Sequence, residues 1–168
     1  PASRPRSTQH PAARHAAMAR TREAIQQFLN SQVREAEELC VDGADHRLYL
    51  SAGTSLINSV KCLMTFEPDD MQMAIKICKH TMRVARVLRG KRRKLSKIMP
   101  GKSQPPLPAT LLEQHAELVY SESLLCKSIV GIVYAGDTIG LIREAMSLRK
   151  AYPDVRALLR GREQAAGA

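Results

Sequence analysis

The sequence predicts an all-α fold of antiparallel helical hairpins. Three observations carry that prediction. Apolar residues recur at spacings of three and four over nearly all of the chain after residue 20. The breaks between these runs are short and rich in Pro, Gly and Asp. Alternating, β-branched stretches of the strand type are nearly absent.

The elements follow in order. Residues 21–29 place Ala24, Ile25, Phe28 and Leu29 on one side, and Asn30-Ser31 punctuates. A short helix is expected at about 33–40, with Val33, Ala36, Leu39 and Cys40 inward. Asp42, Gly43 and Asp45 form a turn and a cap for the next helix. Residues 47–66 carry a stripe of Leu48, Ala52, Leu56, Val60 and Leu63. Glu67-Pro68-Asp69-Asp70 is a tight connection, because Pro opens a helix but cannot continue one. Met71, Ala74, Ile75, Cys78, Met82, Ala85 and Leu88 then trace one face of residues 69–89. Two helices joined by so short a turn run antiparallel.

Residues 90–109 hold four prolines, two glycines and six Lys/Arg, the composition of a basic linker. A second hairpin follows within 110–160. Thr110 is its expected cap, and Leu112, Ala116, Val119, Cys126, Val130 and Val133 form its first stripe. Gly136-Asp137-Thr138 makes the turn. Leu141, Ala145, Leu148 and Tyr152 form the second stripe, and Pro153 stops it. The organisation is therefore a disordered basic leader (1–20), helical hairpins (21–89), a linker (90–109), a helical hairpin (110–160) and a disordered tail (161–168).

Charge is unevenly spread. Residues 1–22 carry five Arg and no acid, residues 83–102 carry nine Lys/Arg and no acid, and the remaining 126 residues hold 12 basic and 16 acidic groups. The strongest electrostatic feature is Arg83, Arg86, Arg89, Lys91, Arg92, Arg93, Lys94 and Lys97, extended by Lys102. Three uses compete for this candidate anion-binding patch. It serves as a solvated helix end that complements the helix dipole, as a nuclear-import or nucleic-acid-attracting cluster, or as an anionic-lipid contact. Interleaved aromatics are lacking, which argues against base stacking. Ser96, three residues after Arg93, is a candidate basophilic-kinase site that would reduce the charge.

Catalytic and metal chemistry find no support. Cys40, Cys62, Cys78 and Cys126 are 22, 16 and 48 residues apart, far from zinc or redox spacing, and read as buried thiols in a reducing compartment. Gly101-Lys102-Ser103 lacks the earlier glycine and the preceding strand of a phosphate-binding loop. Glu113 and His115, two apart, point to different sides of a helix, and His115 is expected to be solvated. Ser123 and Lys127 are four apart, where the Ser-x-x-Lys nucleophile pair needs three. No enzyme, cofactor or metal site is expected. No stretch approaches the ~20 uncharged apolar residues that span a bilayer. The 118–134 window is interrupted by Glu122 and Lys127, and residues 1–20 lack the apolar run of a secretory signal.

The opening pair of helices puts Ala24, Ser31, Val33 and Ala36 near the small and apolar positions that let two TPR helices approach closely. With the helices placed, the order of segments resembles the tetratricopeptide-repeat-protein-39 family, which includes the fungal inclusion-body clearance proteins. TREAIQQFLNSQVREAEELC (21–40), SAGTSLINSVKCLMTFEPDDMQMAI (51–75), EQHAELVYSESLLCKSIVGIV (113–133) and SLRKAY (147–152) carry the likeness, which runs from about residue 21 to residue 160. One departure is Arg143-Glu144-Ala145, where family members usually have a Lys-Gly-Gly stretch. The resemblance implies a TPR-like α-solenoid fragment, the N-terminal portion of such a protein or a shortened relative. It implies a non-enzymatic scaffold for protein partners, connected with inclusion-body clearance or lipid homeostasis. The expected location is cytoplasmic, with nuclear or organelle-surface placement also open. The alternative is a basic module that binds nucleic acid or an anionic membrane through residues 83–102. An incomplete repeat array leaves apolar faces open, so self-association is expected.

Overall fold

The computed structural model describes residues 11–89, 110–136 and 139–149, and every regular element among them is a helix. They are α1 (Pro11–Leu29), α2 (Val33–Val41), α3 (Leu48–Thr65), α4 (Pro68–Leu88), α5 (Leu111–Ala135) and α6 (139–149). The all-α prediction holds. Residues 1–10, the 90–109 linker, the 137–138 turn and residues 150–168, with Tyr152 and the tail, lie outside the described residues.

The first helix begins ten residues before the expected start at residue 21. Pro11 stands at its first position, where its fixed φ suits a helix and its missing N–H is no loss. Residues 11–20 are thus helix and not disordered leader, and Ala17 is buried. Ser31, at φ 66°, turns the chain into α2. Ala24, Ala36 and Cys40 then form a cluster with Ile57 of α3, with Phe28 and Leu39 packed around it.

Helix α3 is central, packed against α1, α2, α4 and α5. Its expected stripe is only partly right. Leu48 is buried, but Ala52, Leu56, Val60 and Leu63 are half-buried. The most buried positions are Leu50, Ser51, Gly53, Ser55, Ile57, Ser59 and Cys62. A helix with neighbours on several sides needs small residues where backbones approach, and periodicity for one apolar face does not see them. Gly53 marks the closest approach, since a Cβ there would lie 2.9 Å from Cys40 Sγ and 3.0 Å from Thr21 Cγ2. The Asp45 cap is also corrected: Arg47 is the N-cap of α3, with no side-chain capping bond.

Helices α3 and α4 form the expected antiparallel hairpin, with Pro68 opening α4 and Phe66 ending α3 in the left-handed region. Two buried hydroxyls of α3 are partnered from α4. Ser51 Oγ donates to Thr81 Oγ1 (2.8 Å), Thr81 Oγ1 donates to the Ser51 carbonyl (3.0 Å), and Ser55 Oγ donates to Cys78 Sγ (3.2 Å). Buried hydroxyls satisfied in this way carry little desolvation penalty.

Thr110 caps α5 as expected. Its hydroxyl accepts from the Glu113 N–H and its own N–H donates to the Glu113 carboxylate, completing a capping box. Helix α5 packs on both α3 and α4. One cluster joins Leu48, Ala85, Ala116 and Val119, and another joins Cys62, Met71, Ala74 and Val130. The helices on either side of residues 90–109 therefore share one core. By length and composition alone α5 could cross a membrane, which the charged interruptions at Glu122 and Lys127 had not suggested. Here it is a core helix whose inward residues include Ser121, Ser123 and Ser128.

Candidate functional site

The last helix reverses the expected orientation. Leu141 and Ala145, read as part of an inward stripe, are exposed, while Gly140 and Glu144 face the bundle. Glu144 is 6% exposed. Lys127 Nζ donates to both of its carboxylate oxygens, at 2.9 and 2.7 Å, and Ser128 Oγ donates to one of them at 2.9 Å. Gly131 leaves room for this carboxylate, since a Cβ there would already touch Glu144 Cγ, Cδ and Oε1 at 3.4 Å. Burial pushes the Glu144 carboxyl up, but hydrogen bonds from Lys127 and Ser128 and the charges of Lys127 and Arg143 outweigh it and hold it below the ordinary range.

With a charged group seated inward, the apolar residues of α6 are left outward. Ile139 is 74% exposed, Ile142 56% and Met146 57%. On α5, Leu118, Leu125, Ile129 and Val133 form a second outer apolar stripe at helical spacing. Solvent-facing apolar residues grouped in this way are the mark of a contact surface.

The basic residues expected to bind anions fall into two groups. Arg89 lies over the Tyr120 ring, 3.9 Å from its centroid, and pairs with Glu117 at 2.6 Å. Arg86 is 5.8 Å from the same ring. These two pin the end of α4 to α5 through cation–π contact and charge. Arg83 is exposed. Lys91, Arg92, Arg93, Lys94, Lys97 and the candidate phosphosite Ser96 lie outside the described residues.

Several pairings were not foreseen. His115 is not simply solvated, because its Nδ1 is hydrogen-bonded to the Tyr49 hydroxyl. Burial pushes that hydroxyl up from its ordinary value, so the pair holds a neutral phenol rather than an activated nucleophile. Lys61 donates to Glu37 at 2.8 Å, tying α3 to α2. Among the described residues no His, Cys, Asp or Glu group has the grouping of a metal site. Cys40, Cys62 and Cys78 are buried and Cys126 half-buried, all as free thiols. Burial pushes Cys126 up to about 11, so it is protonated and unreactive at neutral pH.

A family model described as Iml2/Tetratricopeptide repeat protein 39 matches residues 22–164. The chain belongs to this family. Among curated relatives of the Iml2/TPR-39 family, Tetratricopeptide repeat protein ttc-39B of Caenorhabditis elegans is 28% identical over 139 residues, covering 83% of this chain and 24% of that protein. The chain thus spans about a quarter of the length of that relative. No solved structure matches. The Iml2/TPR-39 match runs from residue 22, within α1, past the end of α6, so the outward apolar faces lie inside the matched region.

Proposed function

We propose that the chain is a non-catalytic helical-repeat scaffold that takes protein partners on the outward apolar faces of α5 and α6. The observation that carries this reading is the inward Glu144, which anchors α6 to α5 and leaves Ile139, Ile142 and Met146 facing solvent. Rigid helices that present apolar residues recognise partners by shape and burial. Membership of the family supports a connection with inclusion-body clearance or lipid homeostasis, and the free buried thiols support a reducing compartment such as the cytosol. The alternative, a basic module acting through residues 83–102, is weakened by the engagement of Arg86 and Arg89 with Tyr120.

The two readings separate by salt, which screens exposed charges but not apolar burial. The tagged chain and its Ile142→Asp/Met146→Asp variant are incubated with extracts of cells that express the protein, then washed at ~50 and ~300 mM NaCl, spanning strong and weak screening. Proteins retained at high salt by the wild type and lost by the variant support the scaffold. Binding that elutes entirely with salt, or that survives in the variant, overturns it.

A further inference from the structure

Helices α4, α5 and α6 enclose an open cleft of about 650 Å³, on a different side of α6 from its apolar residues. Its walls carry Lys76 and Lys79 from α4, Lys127 from α5, and Arg143 with Glu144 from α6. Lys127 and Glu144 neutralise each other. Three cations remain, contributed by α4 and α6, and none of the three forms a salt bridge with a described residue. Three cations facing one cleft repel each other and raise the local concentration of anions.

The cations are strung out rather than gathered to a point. Lys76, Lys79 and Arg83 lie three and four residues apart, so they share one face of α4 over about 10 Å at 1.5 Å per residue. An extended peptide rises about 3.3 Å per residue, so that span matches roughly three residues. One turn before Lys76, Gln72 donates to the Tyr134 hydroxyl at 2.6 Å and ties α4 to α5 at the end of the cleft. The phenol ring and the Ile75 side chain add apolar wall beside the charges. A free phosphate needs donors converging on one point, whereas a row of cations beside an apolar wall suits spaced carboxylates on a chain.

We infer that this cleft binds an acidic segment of a partner protein, with its carboxylates placed along Lys76 and Lys79 and one entering beside Arg143, the segment continuing along α4 toward Arg83 beyond the cleft lining. The inference rests on the scaffold reading only in taking a protein segment as the ligand. The charges that do the binding are separate from the apolar faces of that reading.

Fluorescence anisotropy of a fluorescein-labelled deca-glutamate peptide with the full chain at ~50 mM salt tests it, since screening is weak there. The wild type is expected to bind. Lys76→Glu/Lys79→Glu and Arg143→Glu are each expected to raise Kd roughly tenfold or more, as charge reversal at a steered contact does. Arg22→Glu/Arg34→Glu, at exposed positions on α1 and α2 that do not line the cleft, is expected to leave Kd within about twofold, because charges away from the site are largely screened. Thermal melts by circular dichroism confirm that each variant is folded, and Lys76→Gln/Lys79→Gln replaces any that is not. Wild-type affinity in the cleft variants, or loss confined to the Arg22/Arg34 variant, overturns the assignment. So does tighter binding of phosphatidylserine vesicles or of a single-stranded oligonucleotide that is lost in the same cleft variants. If deca-glutamate fails to bind while salt-resistant protein partners persist, the cleft inference falls and the scaffold stands. If the peptide binds at the cleft and no salt-resistant partner exists, the reverse holds.

Discussion

Lys127 holds both carboxylate oxygens of Glu144 across the seam between α5 and α6, with its own side chain 15% exposed and that of Glu144 8%. At that depth a pair is worth little more than a well-packed apolar replacement, but removing one partner strands a charge. Glu144→Gln keeps the shape and removes the charge. It is expected to lower stability by about 3 kcal/mol in urea melts, and to raise amide exchange across 139–149. Lys127→Met/Glu144→Leu is expected to recover most of the loss, because neither group is then stranded. A Glu144→Gln protein as stable as wild type would show that the pair is not what fastens α6.

Two glutamates on facing helices respond to pH in opposite senses. Glu144 is held below its ordinary value when folded. Its contribution is therefore fully present above the unfolded glutamate value of about 4.3 and is lost as pH falls through the lower folded value. Glu122 is pushed up, by burial. It destabilises the fold above its raised folded value, and that penalty fades as pH falls from there toward about 4.3. Glu122→Gln is expected to raise the urea midpoint at pH 7.5 and to converge on wild type at about pH 4, whereas Glu144→Gln converges on wild type only at more acid pH. Urea titrations across pH 3–8 check both signs, and a Glu122→Gln protein less stable than wild type at pH 7.5 would refute the first.

Gly53 sits where α3 meets α1 and α2. An Ala there would gain about 1 kcal/mol of helix propensity, yet its Cβ would stand 2.9 Å from Cys40 Sγ and 3.0 Å from Thr21 Cγ2. Both neighbours are short side chains on packed helices, so relief requires the helices to part. Gly53→Ala is expected to destabilise by about 1–3 kcal/mol net. Gly53→Ala/Cys40→Ala should regain part of that loss, as removing Sγ opens the contact. Thermal melts of the four proteins in this cycle read the coupling directly, and additive effects would place the strain elsewhere.

These positions also show what the sequence makes legible. The α3–α4 turn, the Thr110 cap and the inward Met71, Ala74, Cys78 and Ala85 follow from local chemistry, since Pro68, Asp69 and a single apolar stripe each point to one conformation. Helix α3 defeats the same reasoning because its buried Ser51 and Ser55 find side-chain partners only once α4 is beside them, while Ser59 turns back to the Ser55 carbonyl of its own helix. Helix α6 misleads in the opposite direction. Its apolar residues suggest an inward face, but a buried carboxylate needs a specific cation, and Lys127, 17 residues earlier, supplies it. Nothing local in either segment announces that pairing. The basic run around Arg83–Lys97 was plain as charge, yet only the placement of Tyr120 and Glu117 shows that Arg86 and Arg89 are engaged in the fold.

The outward faces of α5 and α6 give the last prediction. Ile139, Ile142 and Met146 are more than half exposed, and Leu118, Leu125 and Ile129 stand out along α5. Two copies that bring such faces together remove apolar area from water at about 25 cal/mol per Å², and no buried charge on these faces opposes it. The chain is therefore expected to self-associate at ~100 µM, a concentration at which even a weak apolar interface is populated. Ile139→Glu/Ile142→Glu is expected to return it to a monomer without lowering its melting temperature, because exposed side chains contribute little to the core. Sedimentation velocity distinguishes this from charge-driven association, since raising NaCl should leave or strengthen the wild-type complex and not dissolve it. A wild-type monomer at that concentration, or a complex that salt disperses, would mean that these faces do not hold two copies together.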